Sequence, residues 1–599
     1  MSLNSPPQLP RPSRGWSPRV ALAVLGLLFC LLAGAWSALI PLGEAPDEVS
    51  HHSYVRYVAE YGGLPPAIEG TTVFGETFQP PLYYILAAPL TAWLPRGPES
   101  NLGFAIPVEN NPDWELGNPA RARVLLQPAA ARWPWRGEAL GWHLARGLSI
   151  LFGLVTLVAT YKLARLVFPG EPWTAFLAAA FVAFLPTFTA LSATVTNDVL
   201  ATMLSALLLW QLARLVVGTR GRTDWRGWAF AGLLGCLGVW TKASGWVFVP
   251  IVILAVVLAA RRPTTAGALW AGRPPTENGR WKAVDGGRWA FSRLLAAGGA
   301  WLVVALPLFW MNWQRSGDLL GRGLQARVTE QRESFSLQEA LQLLPGLYRS
   351  WWAGFGGAVH LNLPDWLNLV LGVLLLVAVG GLLRRHLRRA SASAATRRLL
   401  PILAAHAVLV FIAWFIWTGL VMGADQGRLL YPALPATAVL LAGGWVAVTP
   451  PREWRAPRPA LLWSAAILAL PLATLLFILL PAYRAAPALA EPPSGAASES
   501  LQIGSLPLAL TSFYFPLTVD DHVPPGTGSR FYVAWRADGP LPDVRLRLRW
   551  IDADGNSRWV KEGSPIADHP LTDEWQPGNY SAWHRVPVPE GVEPGWYRL

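Results

Sequence analysis

Cysteine is nearly absent from this chain. Cys30 and Cys236 are the only two, and both sit inside apolar runs, which argues against a disulfide framework and against a cysteine-ligated metal site. Lysine occurs four times against 45 arginines. Charge of any sign is scarce: 14% of the 599 residues are charged and 53% are hydrophobic, where a soluble protein carries about a quarter charged residues. The formal net charge of +12 does not imply nucleic acid, because the basic residues form short clusters between apolar runs and build no basic domain or recognition motif. What the sequence has in quantity is apolar runs near 20 residues and 33 tryptophans, the composition of a polytopic α-helical membrane protein with interfacial anchors. The run from Val20 to Ile40 is too long for a signal-peptide core and reads as an uncleaved first span.

The apolar runs predict about 11 transmembrane helices, near 20–41, 142–167, 173–191, 198–217, 227–241, 245–260, 294–313, 366–384, 399–421, 429–448 and 460–482. Residues 227–260 as one helix would measure about 51 Å, too long for a bilayer core of about 30 Å. A break near Thr241–Gly245 divides them into two short spans. With the Arg-rich residues 1–19 as a cytoplasmic tail, this count puts every strongly basic loop on one side, as the positive-inside rule requires. The segments 43–140 and 314–365 are then large outer loops, within a membrane domain covering 20–484. A Pro/Ala/Ser-rich linker (485–500) leads to residues 501–599. There "RFYVAWRA" and "DVRLRLRW" alternate with period two and "DADG" reads as a hairpin turn, so a small outer all-β sandwich is expected. Its final "PGWYRL" resembles the start of a strand, as if the domain were incomplete.

The same topology gathers the titratable residues on the outer face. Asp47 and Glu48 follow the first span, with His51 and His52 one turn further on. Asp47/His51 and Glu48/His52 are four apart and share helix faces, a spacing open to an acid/base pair, to a metal site, or to ordinary helix-terminal charges. "ETFQPPLYY" then offers Gln79 and Tyr83 at the start of a short apolar helix suited to the interface. Asn197 and Asp198 stand at a helix start, where an N-cap is the simplest role. Lys242 lies between the two short spans, and Asp425, Arg428 and Tyr431 lie at another outer helix end. The convergence of several acids and two isolated cations on one face fits a site for a phosphate-bearing amphiphile.

The order "PDEVSHH", "FQPPLYY", "TNDVLA", a lysine at a short-hairpin turn, then "GRLLYPALPA" resembles the GT-C superfamily of integral-membrane glycosyltransferases. That superfamily includes protein O-mannosyltransferases and lipid A aminoarabinose transferases. The stretch "YRSWWAGFGGAVHLNLPDW" is most similar to an uncharacterised bacterial branch grouped with them. The resemblance covers residues 20–450. It implies a bacterial inner-membrane enzyme with its active site outside, two interfacial helices in the first outer loop, and inverting transfer of a sugar from a polyprenyl-phosphate donor to an extracytoplasmic acceptor. Asp47 matches the position of the acidic residue that serves the family as catalytic base, with Glu48 beside it. His51, Gln79, Tyr83, Asp198, Lys242, Asp425, Arg428 and Tyr431 are the expected substrate-binding residues. Gln79 departs from the Lys or His that many relatives carry there. Some relatives hold a divalent metal, for which Glu48, His51 and His52 are the candidates here. A polysaccharide polymerase or ligase, and a non-catalytic carrier or scaffold of lipid-linked sugars, remain alternatives.

Overall fold

The computed structural model describes residues 17–69, 73–94, 133–218, 224–260, 283–387, 393–422, 425–450, 453, 456–483, 496–515, 528–542, 544–563, 565, 572 and 575–587. The rest of the expected tail, the basic loops 261–282 and 388–392, most of the linker and the closing "PGWYRL" lie outside the described residues.

The first described helix is α1 (Pro18–Leu39), started by N-cap Ser17 and by Pro18 at its first position. Two short helices follow, α2 (Glu48–Tyr61) and α3 (Leu82–Thr91). At ten residues, α3 is about 15 Å long, too short to cross a bilayer. It buries Tyr83, Tyr84 and Ala87 against the protein while Ile85, Leu86 and Leu90 face outward. The bundle continues with α4 (Gly137–Val167), α5 (Pro172–Phe184), α6 (Pro186–Ser192), α7 (Asp198–Val217), α8 (Trp225–Thr241), α9 (Phe248–Ala260) and α10 (Ala283–Ser316). After α11 (Arg322–Val328) and α12 (Leu337–Trp352) comes a small hairpin, β1 (Gly354–Phe355) with β2 (Leu361–Asn362). Helices α13 (Asp365–Leu387), α14 (Ala394–Thr418), α15 (Leu434–Ala447) and α16 (Pro457–Thr474) complete the helical part.

Among the described residues, nine helices are long and apolar enough to cross a membrane, or ten if α5 and α6 form one span bent by 64°. The eleventh expected span is a helix, α8, but its 17 residues reach only about 25 Å. The expected break between α8 and α9 is there: Lys242 is extended, and a 3-10 turn at Ala243–Val247 reverses the chain. Gly245 makes that turn possible, because a Cβ on it would lie 2.2 Å from the carbonyl carbon of Gly238. Small residues also let α13 and α15 touch backbone to backbone, where a Cβ on Gly381 would meet the Gly444 carbonyl oxygen at 2.0 Å.

The C-terminal residues form antiparallel sheets. One has the order β3 (Ala497–Gln502), β4 (Leu508–Tyr514), β5 (Gly528–Ala537), β8 (Gly578–Pro587); the other pairs β6 (Leu546–Ile551) with β7 (Ser557–Gly563). The "DADG" turn closes β6–β7, with Gly555 at φ 86° and its N–H donating to the Asp552 carbonyl at 3.1 Å. Phe515 bridges the sheets, its ring 6.2 Å from Phe531 on β5 and 6.1 Å from Trp550 on β6.

Candidate active site

The C-terminal end of α1, the N-terminal ends of α2 and α7, the α8–α9 turn and the segment before α15 meet at one end of the helical bundle. There the chain places four charged side chains in a continuous row. Arg428 Nη2 lies 2.5 Å from Asp47 Oδ2, and its Nη1 lies 3.3 Å from Asp198 Oδ2. The other Asp198 oxygen pairs with Lys242 Nζ. Asp198 and Arg428 are buried, whereas the Asp47 side chain keeps 47% of its exposure. Asp47 is therefore the member of the row that an incoming molecule can reach. Partial desolvation pushes its carboxyl up, but the charge of Arg428 and the hydrogen bond it donates, together with the Lys242 charge, outweigh this and hold it below its ordinary value.

Local backbone geometry explains the reach of Asp47. Helix α2 starts at Glu48, and Asp47 stands just before it at the N-cap position, in the left-handed region (φ 60°) and with no capping hydrogen bond from its side chain. Aspartate tolerates that conformation better than most residues. Asn197 likewise does not cap α7. Its amide donates to Gln79 Oε1 and to the Thr241 carbonyl, both at 3.1 Å, tying the second interfacial element to the α8 end.

The i,i+4 face of Asp47 and His51 is retained. One ligand atom each from Asp47, His51 and Glu76 falls within 4.8 Å of the others. His51 Nδ1 is also 2.8 Å from the Tyr84 hydroxyl. Burial lowers the His51 imidazole to about 4, so it is neutral near pH 7, while burial and the nearby Asp47 charge raise the Glu76 carboxyl well above its usual range. Glu76 Oε2 is buried without a hydrogen-bond partner. Two carboxylates and a neutral imidazole with an unmatched buried oxygen form a donor set that fits a divalent cation.

Two of the three expected metal ligands are elsewhere. Glu48 is fully buried and makes a two-pronged contact with Arg146, Oε1–Nε and Oε2–Nη2 both 2.8 Å. Its oxygens also accept the Val195 and Gly43 amides at 2.9 and 3.1 Å. Arg146 in turn donates to the Ser37, Ile40 and Pro41 carbonyls at the end of α1. Glu48 thus has no free acceptor for chemistry; it joins α1, α2, α4 and the α6–α7 connection. His52 stacks on Trp142 at 4.1 Å and faces Glu138 on α4. Tyr83 points to Ser149 (2.9 Å), Tyr431 donates to the Trp351 carbonyl (2.9 Å), and Asp425 lies against Gly346 on α12. None of these touches the charged row. Gln79 meets the side chain of Asn197, the residue before Asp198 in sequence.

Sequence reasoning missed Glu76, Tyr84 and Arg146. Glu76 stood at the head of a quoted motif but outside the helical spacing that tied Asp47 to His51. Arg146, an arginine within a predicted span, carried a usable signal, since an intramembrane charge calls for a buried partner.

Residues 142–271 match the family model described as dolichyl-phosphate-mannose-protein mannosyltransferase. This stretch includes Asp198 and Lys242 but neither Asp47 nor Arg428. The resemblance to the GT-C glycosyltransferases is borne out. Among solved structures, ArnT from Cupriavidus metallidurans is similar at 17% identity, over 76% of this chain and 65% of that one, with a TM-score of 0.43. The Archaeoglobus fulgidus oligosaccharyltransferase in complex with Zn and sulfate matches at 14% identity, 77% and 52% coverage, and a TM-score of 0.38. The S. cerevisiae Pmt1–Pmt2 complex bound to the sugar donor matches at 14%, with 50% and 34% coverage and a TM-score of 0.33. This chain thus spans between half and two thirds of the length of the first two. No curated protein matches it in sequence.

Proposed function

We propose that this protein is an inverting glycosyltransferase that moves a sugar from a polyprenyl-phosphate donor to an acceptor hydroxyl on the outer side of a bacterial inner membrane. The observation that carries this reading is the reachable Asp47 carboxylate held by Arg428, with Lys242 behind it on Asp198. In the transfer, the acceptor oxygen attacks the anomeric carbon from the face opposite the phosphate. Its proton passes to an Asp47 oxygen as the new C–O bond forms. The bond to the phosphate oxygen breaks, and that oxygen keeps the electron pair beside Arg428 and Lys242.

The charged row also supplies a way to strengthen the base. Free Asp47 is a weak base because Arg428 stabilises its charge. A donor phosphate that draws Arg428 toward itself relieves that stabilisation, so the Asp47 affinity for a proton rises once the donor is bound. A divalent cation, if the enzyme uses one, would be held by Asp47, His51 and Glu76 and would add positive charge close to the leaving phosphate.

The test uses purified protein in nanodiscs with a panel of radiolabelled polyprenyl-phosphate sugars and membrane extract as acceptor. Wild type is expected to turn over at least one donor, and Asp47→Asn to bind that donor but lose turnover by at least a hundredfold. Asparagine also tolerates the left-handed backbone, so the substitution isolates the carboxylate. A folded, donor-binding wild type that turns over no sugar would instead identify a carrier or scaffold. Repeated additions to one growing chain would identify a polymerase.

A further inference from the structure

At the end of the bundle opposite the charged row, three cations gather around one indole. Arg165 and Arg214 stand in the last turns of α4 and α7, and Lys162 lies one turn before Arg165; all three are exposed. Lys162 Nζ is 4.5 Å from the centre of the Trp210 ring, and the Arg214 guanidinium carbon is 5.5 Å from the centre of the same ring. Arg165 donates to the Tyr161 hydroxyl at 3.1 Å, and Arg214 to the Gln211 side-chain oxygen at 3.3 Å. These partners are all neutral, and no carboxylate among the described residues pairs with any of the three cations.

The positive-inside rule accounts for cations at this end, and snorkelling would carry each long side chain separately into water. Neither accounts for two like charges meeting one ring with no opposite charge beside them. Lys162 stands about 8 Å before the end of α4, which is the depth of a headgroup layer. The residues above it on both helices are apolar and open to the outside. On α7, Met203, Leu207, Trp210 and Arg214 recur at helical spacing and are partly or fully exposed, as are Val155, Val158 and Lys162 on α4. The two helices pack against each other. Both start beside Glu48, which meets Arg146 of α4 and the Val195 amide just before α7. They therefore run in the same direction, and the contact of Lys162 with Trp210 sets the two stripes side by side. The result is an apolar groove facing lipid, closed at one end by three positive charges.

We propose that the groove between α4 and α7 binds one anionic phospholipid of the leaflet at that end, with its phosphate among Lys162, Arg165 and Arg214 and an acyl chain along the two stripes. The phosphate supplies the negative charge that the described residues do not, and the indole sits at the interface, where tryptophan is favoured. A lipid held there ties α4, which carries Arg146, to α7, which carries Asp198, and so braces the charged row from the far end of the bundle. The site requires nothing of the proposed sugar transfer.

The test is native mass spectrometry of the full-length protein in detergent, titrated with dioleoyl phosphatidylglycerol or dioleoyl phosphatidylcholine. Wild type is expected to hold the first phosphatidylglycerol at least fivefold more tightly than the first phosphatidylcholine. Lys162→Gln and Arg214→Gln should each remove most of that preference, whereas Lys162→Arg, which keeps the charge, should retain it. Arg458→Gln, which removes an exposed cation in the first turn of α16, should leave both affinities unchanged. Leu207→Trp obstructs the groove without removing a charge and should weaken phosphatidylglycerol at least threefold. Excess inorganic phosphate should not displace the lipid. Equal retention of the two lipids by wild type, or an equal loss in Arg458→Gln and Lys162→Gln, would leave only unspecific surface charge and overturn the proposal. It is overturned as well if Leu207→Trp changes nothing or if inorganic phosphate displaces the lipid, since the cations would then hold a soluble anion without the groove. Should a charge variant fail to fold, wild-type selectivity and Leu207→Trp still decide.

Discussion

At the scale of single residues, adjacent acids have unrelated jobs. Asp47 leaves the helix in a left-handed conformation and stays reachable, while Glu48 enters the helix and is sealed against Arg146. Losing one member of such a buried pair strands the other, at a cost of about 3–5 kcal/mol. Arg146→Met should therefore lower the unfolding temperature of the purified protein sharply, and more than Asp47→Asn does. Unchanged melting would show that the pair carries no structural load. His51 supplies a pH prediction. Its imidazole is depressed to about 4 by burial, against about 6.5 in an unfolded chain. Between those values the unfolded state binds the additional proton, so this contribution to stability is present above pH 6.5 and is lost as pH falls toward 4. His51→Gln should flatten the loss of thermal stability across that window. Glu76 acts in the opposite sense for ions. Its raised carboxyl must shed a proton before it ligates, so Mn²⁺ affinity measured by calorimetry should rise with pH and Glu76→Gln should weaken it at least tenfold. Equal Mn²⁺ affinity in wild type and variant would remove Glu76 from any metal site.

At the scale of elements, the turn between α8 and α9 presents the lysine of the row. Its reversal brings Gly245 against the backbone of Gly238 and Val239. Gly245→Ala would force that contact open, destabilising by about 1–3 kcal/mol and shifting Lys242 away from Asp198. Thermal melting together with donor affinity reads both effects, and an alanine variant matching wild type in both would disprove the close packing. The position of this turn was legible in the sequence, because 34 continuous apolar residues exceed the bilayer and a polar Thr-Lys-Ala-Ser-Gly stretch interrupts them. The face shared by Asp47 and His51 was legible too, since helical spacing alone brings them together. The partners of Glu48 and His52 were not. The same spacing allowed that pair to meet, but a buried arginine on α4 and the ring of Trp142 claimed them instead.

At the scale of the whole molecule, the charged row is built from chain segments hundreds of positions apart, with Asp47 and Arg428 in direct contact. The positive-inside reading predicts that this end faces outward together with the C-terminal sheets. Single cysteines at the exposed positions Gly504 and Arg19, introduced after Cys30 and Cys236 are replaced by alanine, test it in intact cells. A membrane-impermeant maleimide should label the first and not the second, and the reverse pattern would invert the topology.

Hydrophobic run lengths and the placement of arginines sufficed to assign a polytopic helical bundle with one end rich in titratable groups. Bilayer thickness and the charge rule act on every span independently of its neighbours. Which acid stays free, which is neutralised within the protein, and which carboxylate joins His51 depended on packing among α1, α2, α4 and the turn bearing Glu76. Those choices are made by desolvation. Once buried, a carboxylate must find a cation or amide donors, and only the three-dimensional arrangement brings Arg146 to Glu48 and leaves Asp47 half-exposed beside Arg428.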